Sequence, residues 1–326
     1  MRAAQAARGG FAIGWAQATA DHPIAVGERA KRTCLQLMNA DDSATIAETS
    51  IRRGHLEGTW QIIYDRRQEL ENHALAGLRD ALLAIAADID WTQVLTSRRE
   101  SSPGGLDPAD IAAASAQAGQ GLRAQRDTAA WKQAVAHIHG TLQAAIAEGN
   151  ANAIAQLGSL MNINVDFDIA YSAGYDALDG LQMLWDDAGS WMTQIVGDLT
   201  NQLGRTIAAG WRDGLSIADQ EAAVMDLLGA DRNAASFVLD QMIGHSLADG
   251  SVATYGQAGL AECDFLTAGD ERVDAQCDEA ESGNPWPLAD APRPPLHGMC
   301  RCTLAPAADS AITTDMATLL DPYTTD

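Results

Sequence analysis

The chain has 326 residues and a mass of 34.4 kDa, with 47 % hydrophobic residues, which excludes a wholly disordered polymer. Forty-four acidic residues against 21 basic ones give a formal charge of −23, which argues against a sequence-blind grip on nucleic acid or on an anionic membrane surface. No apolar run reaches the roughly 18–20 residues of a spanning helix, and Arg8 and Gly9-Gly10 interrupt the N-terminal stretch. A soluble protein without an export signal or membrane partner is expected.

Lys31 and Lys132 are the only lysines, and aspartate outnumbers glutamate. Carboxylates hold water and salt ions, whereas long lysine stems expose apolar surface. The composition therefore predicts a halophilic source, and a GC-rich genome is the competing explanation.

Residues 1–100 read as an N-terminal helical region. Its clearest stretch runs from Ala44 to Ala87, where Leu56, Trp60, Ile63, Leu70, Leu78, Leu82 and Ile85 recur at helical spacing. The arginine pairs 52–53, 66–67 and 98–99 read as solvated helix positions near carboxylates, with contact to nucleic acid as the alternative. Residues 101–168 form a linker followed by helices. Asp107-Pro108 reads as an N-cap with proline in the first turn, and Gly149-Asn150 as the end of a helix that starts near 128. Met161–Asp168 reads as an extended or irregular crossing. His137 and His139 fall on different helix faces and read as solvated or capping groups.

Residues 169–260 form the most periodic helical region. Leu181, Leu184, Trp185, Ala188, Met192, Ile195, Leu199, Leu203, Ile207 and Trp211 make one stripe. Glycines 180, 189, 197, 204 and 210 within it predict either close helix approach or a break. Gly214 reads as a stop, Ser216 and Asp231 as caps of the next two helices, and Gly259 as the last stop. The eight tryptophans read as packing anchors, and Cys34 and Cys263 as small core residues.

Beyond Gly259 the character changes. Six of the ten prolines lie between Pro285 and Pro306, and four of the five cysteines between Cys263 and Cys302. Residues 261–306 therefore read as a small, irregular, loop-rich module with room for a short β-hairpin, and 307–326 as a mobile tail. Within that tail, Ile312, Met316 and Leu319-Leu320 are able to dock as a short helix. The fold class expected is mainly α, a helical body carrying that C-terminal module.

Cys277, His297, Cys300 and Cys302 fall in a segment with too few apolar residues to make its own core, so a cross-link would compensate. One imidazole and three thiols suit a closed structural zinc site. A disulfide from Cys277 to Cys300 or Cys302, or small buried cysteines with no bond between them, are the alternatives. Neither a zinc-protease His-Glu-X-X-His nor a nucleophile-bearing Gly-X-Ser-X-Gly occurs, and no catalytic or cofactor-binding residue is nominated.

Phe265-Leu266-Thr267-Ala268-Gly269-Asp270-Glu271-Arg272-Val273-Asp274-Ala275-Gln276-Cys277 and Pro295-Leu296-His297-Gly298-Met299-Cys300-Arg301-Cys302 resemble the C-terminal signature of the phage Mu F-like head morphogenesis (minor capsid) family. The preceding helices, with Asp213-Gly214-Leu215-Ser216 and Tyr255-Gly256-Gln257-Ala258-Gly259, extend the resemblance over about 170–306. Three positions depart from the family pattern. Asp274 replaces its first cysteine, and the resemblance makes it a substitute carboxylate ligand for zinc; Gly298 replaces a proline, and Asp240-Gln241-Met242 an Arg-Thr-Glu.

The resemblance implies a minor capsid protein of a tailed virus, and with the composition a haloarchaeal one. It would be a non-enzymatic adaptor near the portal, present in host cytoplasm during assembly and then in the virion. Its implied partners are the portal, the major capsid or scaffold protein, and packaged DNA. The competing readings are a toxin-related enzyme of the same family and an interaction module outside any virion.

Overall fold

The computed structural model describes residues 66–95, 107–230, 234–268, 273–298, 300–307 and 314–324. In chain order, α1 covers residues 66–87, followed by α2 (Trp91–Leu95), α3 (Pro108–Ala124), α4 (Ala129–Met161) and α5 (Phe167–Ala177). Then come α6 (Gln182–Asp213), α7 (Ile217–Gly229), α8 (Ala234–Gln257), β1 (Glu262–Leu266) and α9 (Ala275–Ser282). The chain closes with β2 (Trp286–Pro287), β3 (Thr303–Pro306) and α10 (Thr314–Leu320), which runs into a 3-10 turn at Asp321–Tyr323. The fold is mainly α with a small C-terminal module, and the module holds a three-stranded antiparallel sheet in the order β2-β1-β3.

The chain packs as two compact units, each assembled from non-adjacent stretches. Of the described residues, one takes in Glu71–Thr141 and Leu184–Met242; the other takes in Leu142–Met183, those from Ile243 onward, and residues 66–70.

In the first of these, α6 buries Leu184, Ala188, Met192, Ile195, Leu199, Leu203, Ile207 and Trp211 on one face, as the periodicity predicts. Trp185 departs from the stripe. One residue on from Leu184 it is turned about 100° round the helix, and it is 39 % exposed and stacked on His139 at 4.0 Å. His139 itself is buried, not solvated, because the indole covers it. His137 likewise has an internal contact, with Nε2 2.8 Å from the Ala74 carbonyl.

The α6 glycines divide by role. Gly180, with φ +72°, breaks the chain before α6. At Gly204 a Cβ would lie 2.8 Å from the Ser115 backbone nitrogen, so α3 and α6 touch there. Trp211 donates to the Leu95 carbonyl at 3.2 Å. Ser216 caps α7 by accepting from the Asp219 N–H, and Asp107 caps α3 by accepting from that of Ala109. The cap expected at Asp231 lies outside the described residues, as do Cys34, His55 and the arginine pairs 52–53 and 98–99.

In the other unit, Gly149-Asn150 does not end a helix: α4 continues to Met161. The reason lies in α8. A Cβ on Gly149 would sit 2.1 Å from the Leu247 carbonyl oxygen, and one on Gly250 would sit 2.3 Å from that of Ile146. The two glycines let the helices touch backbone to backbone. Asn150, fully buried, accepts from Thr254 at 3.1 Å. Glu148, one residue before the crossing, pairs with Arg66 at 2.7 Å, and the Arg66 guanidinium lies 3.8 Å above the Phe167 ring. Arg67 is buried rather than solvated.

The chain leaves α4 through Asn162 in a left-handed conformation (φ 54°) and crosses to α5. Asp166 caps α5 by accepting from the N–H groups of Asp168 and Ile169. That crossing meets the chain's last described residues: Val165 bridges Thr324, and the Asp166 N–H donates to the Tyr323 carbonyl at 2.8 Å. Within the segment read as a tail with a helix able to dock, residues 314–324 form α10 and the 3-10 turn. Met316 and Leu320 of α10 are both fully buried, because the helix joins the core that holds Ile154, Tyr255 and Phe265.

Candidate metal centre

α8 stops at Gly259 (φ +77°), where the Leu260 N–H returns to the Tyr255 carbonyl, and the chain turns into β1. β1 pairs with β3 in the register Cys263↔Pro306, Asp264↔Ala305, Phe265↔Leu304 and Leu266↔Thr303. This pairing brings the chain that carries Cys300 and Cys302 beside the strand that leads to Cys277. Cys263 stays in the apolar core, where burial pushes its thiol up to about 12.

α9 is held against β1 from its far end. The Asn284 side chain accepts from the Phe265 N–H at 2.7 Å and donates to the Phe265 carbonyl at 2.9 Å, filling the place of a strand partner. Trp286 donates to the Ala280 carbonyl at 2.7 Å. At its near end, Asp274 Oδ1 accepts from the N–H groups of Gln276 (3.0 Å) and Cys277 (3.1 Å). Asp274 is thus the N-cap of α9, and the Cys277 N–H holds its carboxyl below the usual carboxylate range.

The four residues nominated from the sequence converge. The sulfur atoms of Cys277, Cys300 and Cys302 lie within 4.8 Å of one another, as do the ligating atoms of Asp274, Cys277 and His297; Cys277 belongs to both sets. Cys277 Sγ is 3.7 Å from Cys300 Sγ and 3.2 Å from His297 Nε2. A turn in which the Cys300 N–H donates to the His297 carbonyl sets those two side by side. All four described cysteines are free and buried.

Two details bear on whether this donor set fits a cation. Bonds of about 2.3 Å to a tetrahedral ion place two sulfurs about 3.8 Å apart, and 3.7 Å is found. His297 Nδ1 lies 3.0 Å from the Gly298 carbonyl oxygen. That contact puts the ring proton on Nδ1 and turns the Nε2 lone pair toward the sulfurs, the usual support for a metal-bound imidazole. The three sulfurs can hold a metal ion, and His297 Nε2 stands against one of them, Cys277. Asp274 Oδ1 is 3.8 Å from His297 Nε2, but its lone pairs already serve the helix cap.

The thiols also act on one another. A hydrogen bond from Cys302 draws the Cys300 thiol down to about 5, while the same contact pushes Cys302 up and burial pushes Cys277 up to about 12. Such a cluster shares protons until a cation replaces them as the partner of the sulfurs. What the sequence reading missed is the cap at Asp274, although Asp before a short helical run is an N-cap signature. His73, His137, His139 and His245 take no part in the cluster.

No protein-family model matches the chain, and no curated protein or solved structure is found to match it.

Proposed function

We propose that this protein is a structural component of virion assembly of the Mu F-like type, an adaptor near the portal whose C-terminal module is closed by a structural zinc ion. The observation that carries the reading is the convergence of Cys277, His297, Cys300 and Cys302, the residues on which the family resemblance rests. Cys277, Cys300 and Cys302 would hold zinc through sulfur and His297 through Nε2, a borderline-soft donor set that suits zinc above magnesium or calcium. The ion would supply a cross-link between α9 and the chain entering β3, with every coordination position filled by protein.

A closed site leaves no position for substrate, which favours the adaptor over the toxin-related enzyme. The partners remain the portal, the major capsid or scaffold protein and packaged DNA, and the location the virion after assembly in host cytoplasm.

Elemental analysis of the purified full chain should find one zinc per chain. Asp274→Ala should keep it, since that side chain caps α9, whereas His297→Ala and Cys300→Ser should lose it and lower Tm. Zinc-free protein, or zinc retained by Cys300→Ser, sinks the metal reading. Mass spectrometry of purified particles, and density at the portal vertex, test the adaptor role separately. Turnover that disappears in a folded Cys300→Ser variant would overturn it.

A further inference from the structure

Cys277 stands in the first turn of α9, and Cys300 in the turn that follows His297, 23 positions further on. Their sulfurs are 3.7 Å apart, in contact and unbonded. A disulfide would bring them to about 2.05 Å. The movement falls to Cys300, because residues 291–298 and 300–302 carry no helix or strand. Cys277 is held in place by its N–H on the Asp274 cap.

Cys302 is the poorer partner for either. It leads directly into β3, whose pairing with β1 begins at Leu266↔Thr303, so it cannot shift without strain on the sheet. A bond between Cys300 and Cys302 would close round Arg301 alone and fold back the chain that enters β3. The sulfurs are buried, but His297 and Asp274 beside Cys277 have side chains 21 % and 42 % exposed. The cluster therefore lies one side chain beneath the surface, within reach of a molecule as small as a peroxide.

We infer that Cys277 and Cys300 are a site of reversible oxidation, at which a peroxide joins the two sulfurs and expels the metal ion. The inference rests on the zinc reading above. One thiolate attacks the O–O bond, taking one oxygen as a sulfenic acid while the other leaves as hydroxide. The second thiolate then displaces hydroxide from that sulfur, and the S–S bond forms. The two sulfurs give up two electrons, the peroxide oxygens take them, and two protons from solvent turn the hydroxides into water. Cys302 and His297 then remain, too few donors for a structural ion. The disulfide links the same two elements that the ion would link, α9 and the chain entering β3, so zinc leaves without the module opening.

The full chain, its zinc counted beforehand, is treated with one equivalent of hydrogen peroxide while a chromophoric chelator reports released zinc against an untreated control. Zinc release should follow the oxidation, and two of the chain's five thiols should be lost. Peptide mapping without reduction should find Cys277 joined to Cys300, and dithiothreitol with added zinc should reverse all three changes. The oxidised, zinc-free chain should melt above the reduced, zinc-free one, because the bond closes the module. A chain that holds no zinc before peroxide sinks the metal reading and the expulsion with it. With zinc present, failure is confined to this inference. No loss of thiols, zinc retained after two are lost, a bond at Cys302, Cys263 or Cys34 in place of Cys277–Cys300, oxidation past the disulfide to sulfinic acid, or an oxidised chain that melts no higher would each overturn it.

Discussion

Glu148 shows how one residue can carry opposing electrostatic effects. Burial raises its pKa above the ordinary 4.5, and the Arg66 guanidinium at 2.7 Å opposes that shift without cancelling it. Tyr171, pushed up to about 12 by the same burial, shares this environment. A carboxyl whose folded pKa is raised binds more protons in the native state than in the unfolded one. Its contribution to stability is full below the unfolded pKa and is lost as pH rises through the folded one. Glu148→Gln should therefore flatten the fall in Tm as pH rises above about 4.5, as read from thermal melts across that range. An unchanged slope would mean that Arg66 holds the carboxylate ionised throughout. At this scale the sequence was legible for caps and poor for burial. Ser216 and Asp107 announce their roles through the helices that follow them, whereas nothing local to Arg67 or His139 says that either is covered.

Among the elements, the crossing of α4 and α8 is where local reading failed and tertiary structure supplied the cause. Gly149-Asn150 carries the composition of a helix stop. Yet Gly149 and Gly250 face the Leu247 and Ile146 carbonyls, so the glycines serve a contact between backbones far apart in the chain. Gly149→Ala should destabilise the protein by about 1–3 kcal/mol, because two helices must move apart. Gly197 on α6, where an added Cβ would meet nothing within 4 Å, is the control. Gly197→Ala should stabilise by up to about 1 kcal/mol through helix propensity alone. Chemical denaturation of both variants checks the pair, and a neutral Gly149→Ala would mean that the crossing yields at little cost. The α6 stripe was readable because a 3.6-residue period is a local property. The assignment of Trp185 to it was not, since adjacent positions blur a stripe's edge until the partner helix is known.

For the whole molecule, the charge of −23 is the dominant fact. Self-repulsion of that surface opposes folding, and at molar salt the screening length falls to roughly 3 Å. Tm of the full chain should rise steadily as NaCl is raised toward molar concentration, which differential scanning calorimetry would record. Full stability in low salt would favour the GC-rich-genome explanation of the arginine bias. The described part of the chain has no helix long and apolar enough to cross a membrane. The two compact units draw on interleaved stretches, so the successive segments suggested by composition do not by themselves mark what packs together.

The amino-acid sequence by itself determined the helical class, the irregular C-terminal module and the four residues that meet in it. These follow from periodicity, from proline and glycine placement and from the scarcity of apolar residues around the cysteines, all of which are properties of neighbours along the chain. Only the tertiary structure decided that Asp274 caps a helix, that α10 docks and that Gly149 and Gly250 mark a crossing. Each of these depends on contacts between residues distant in sequence, and the free energy of such a contact has no trace in the composition of either partner.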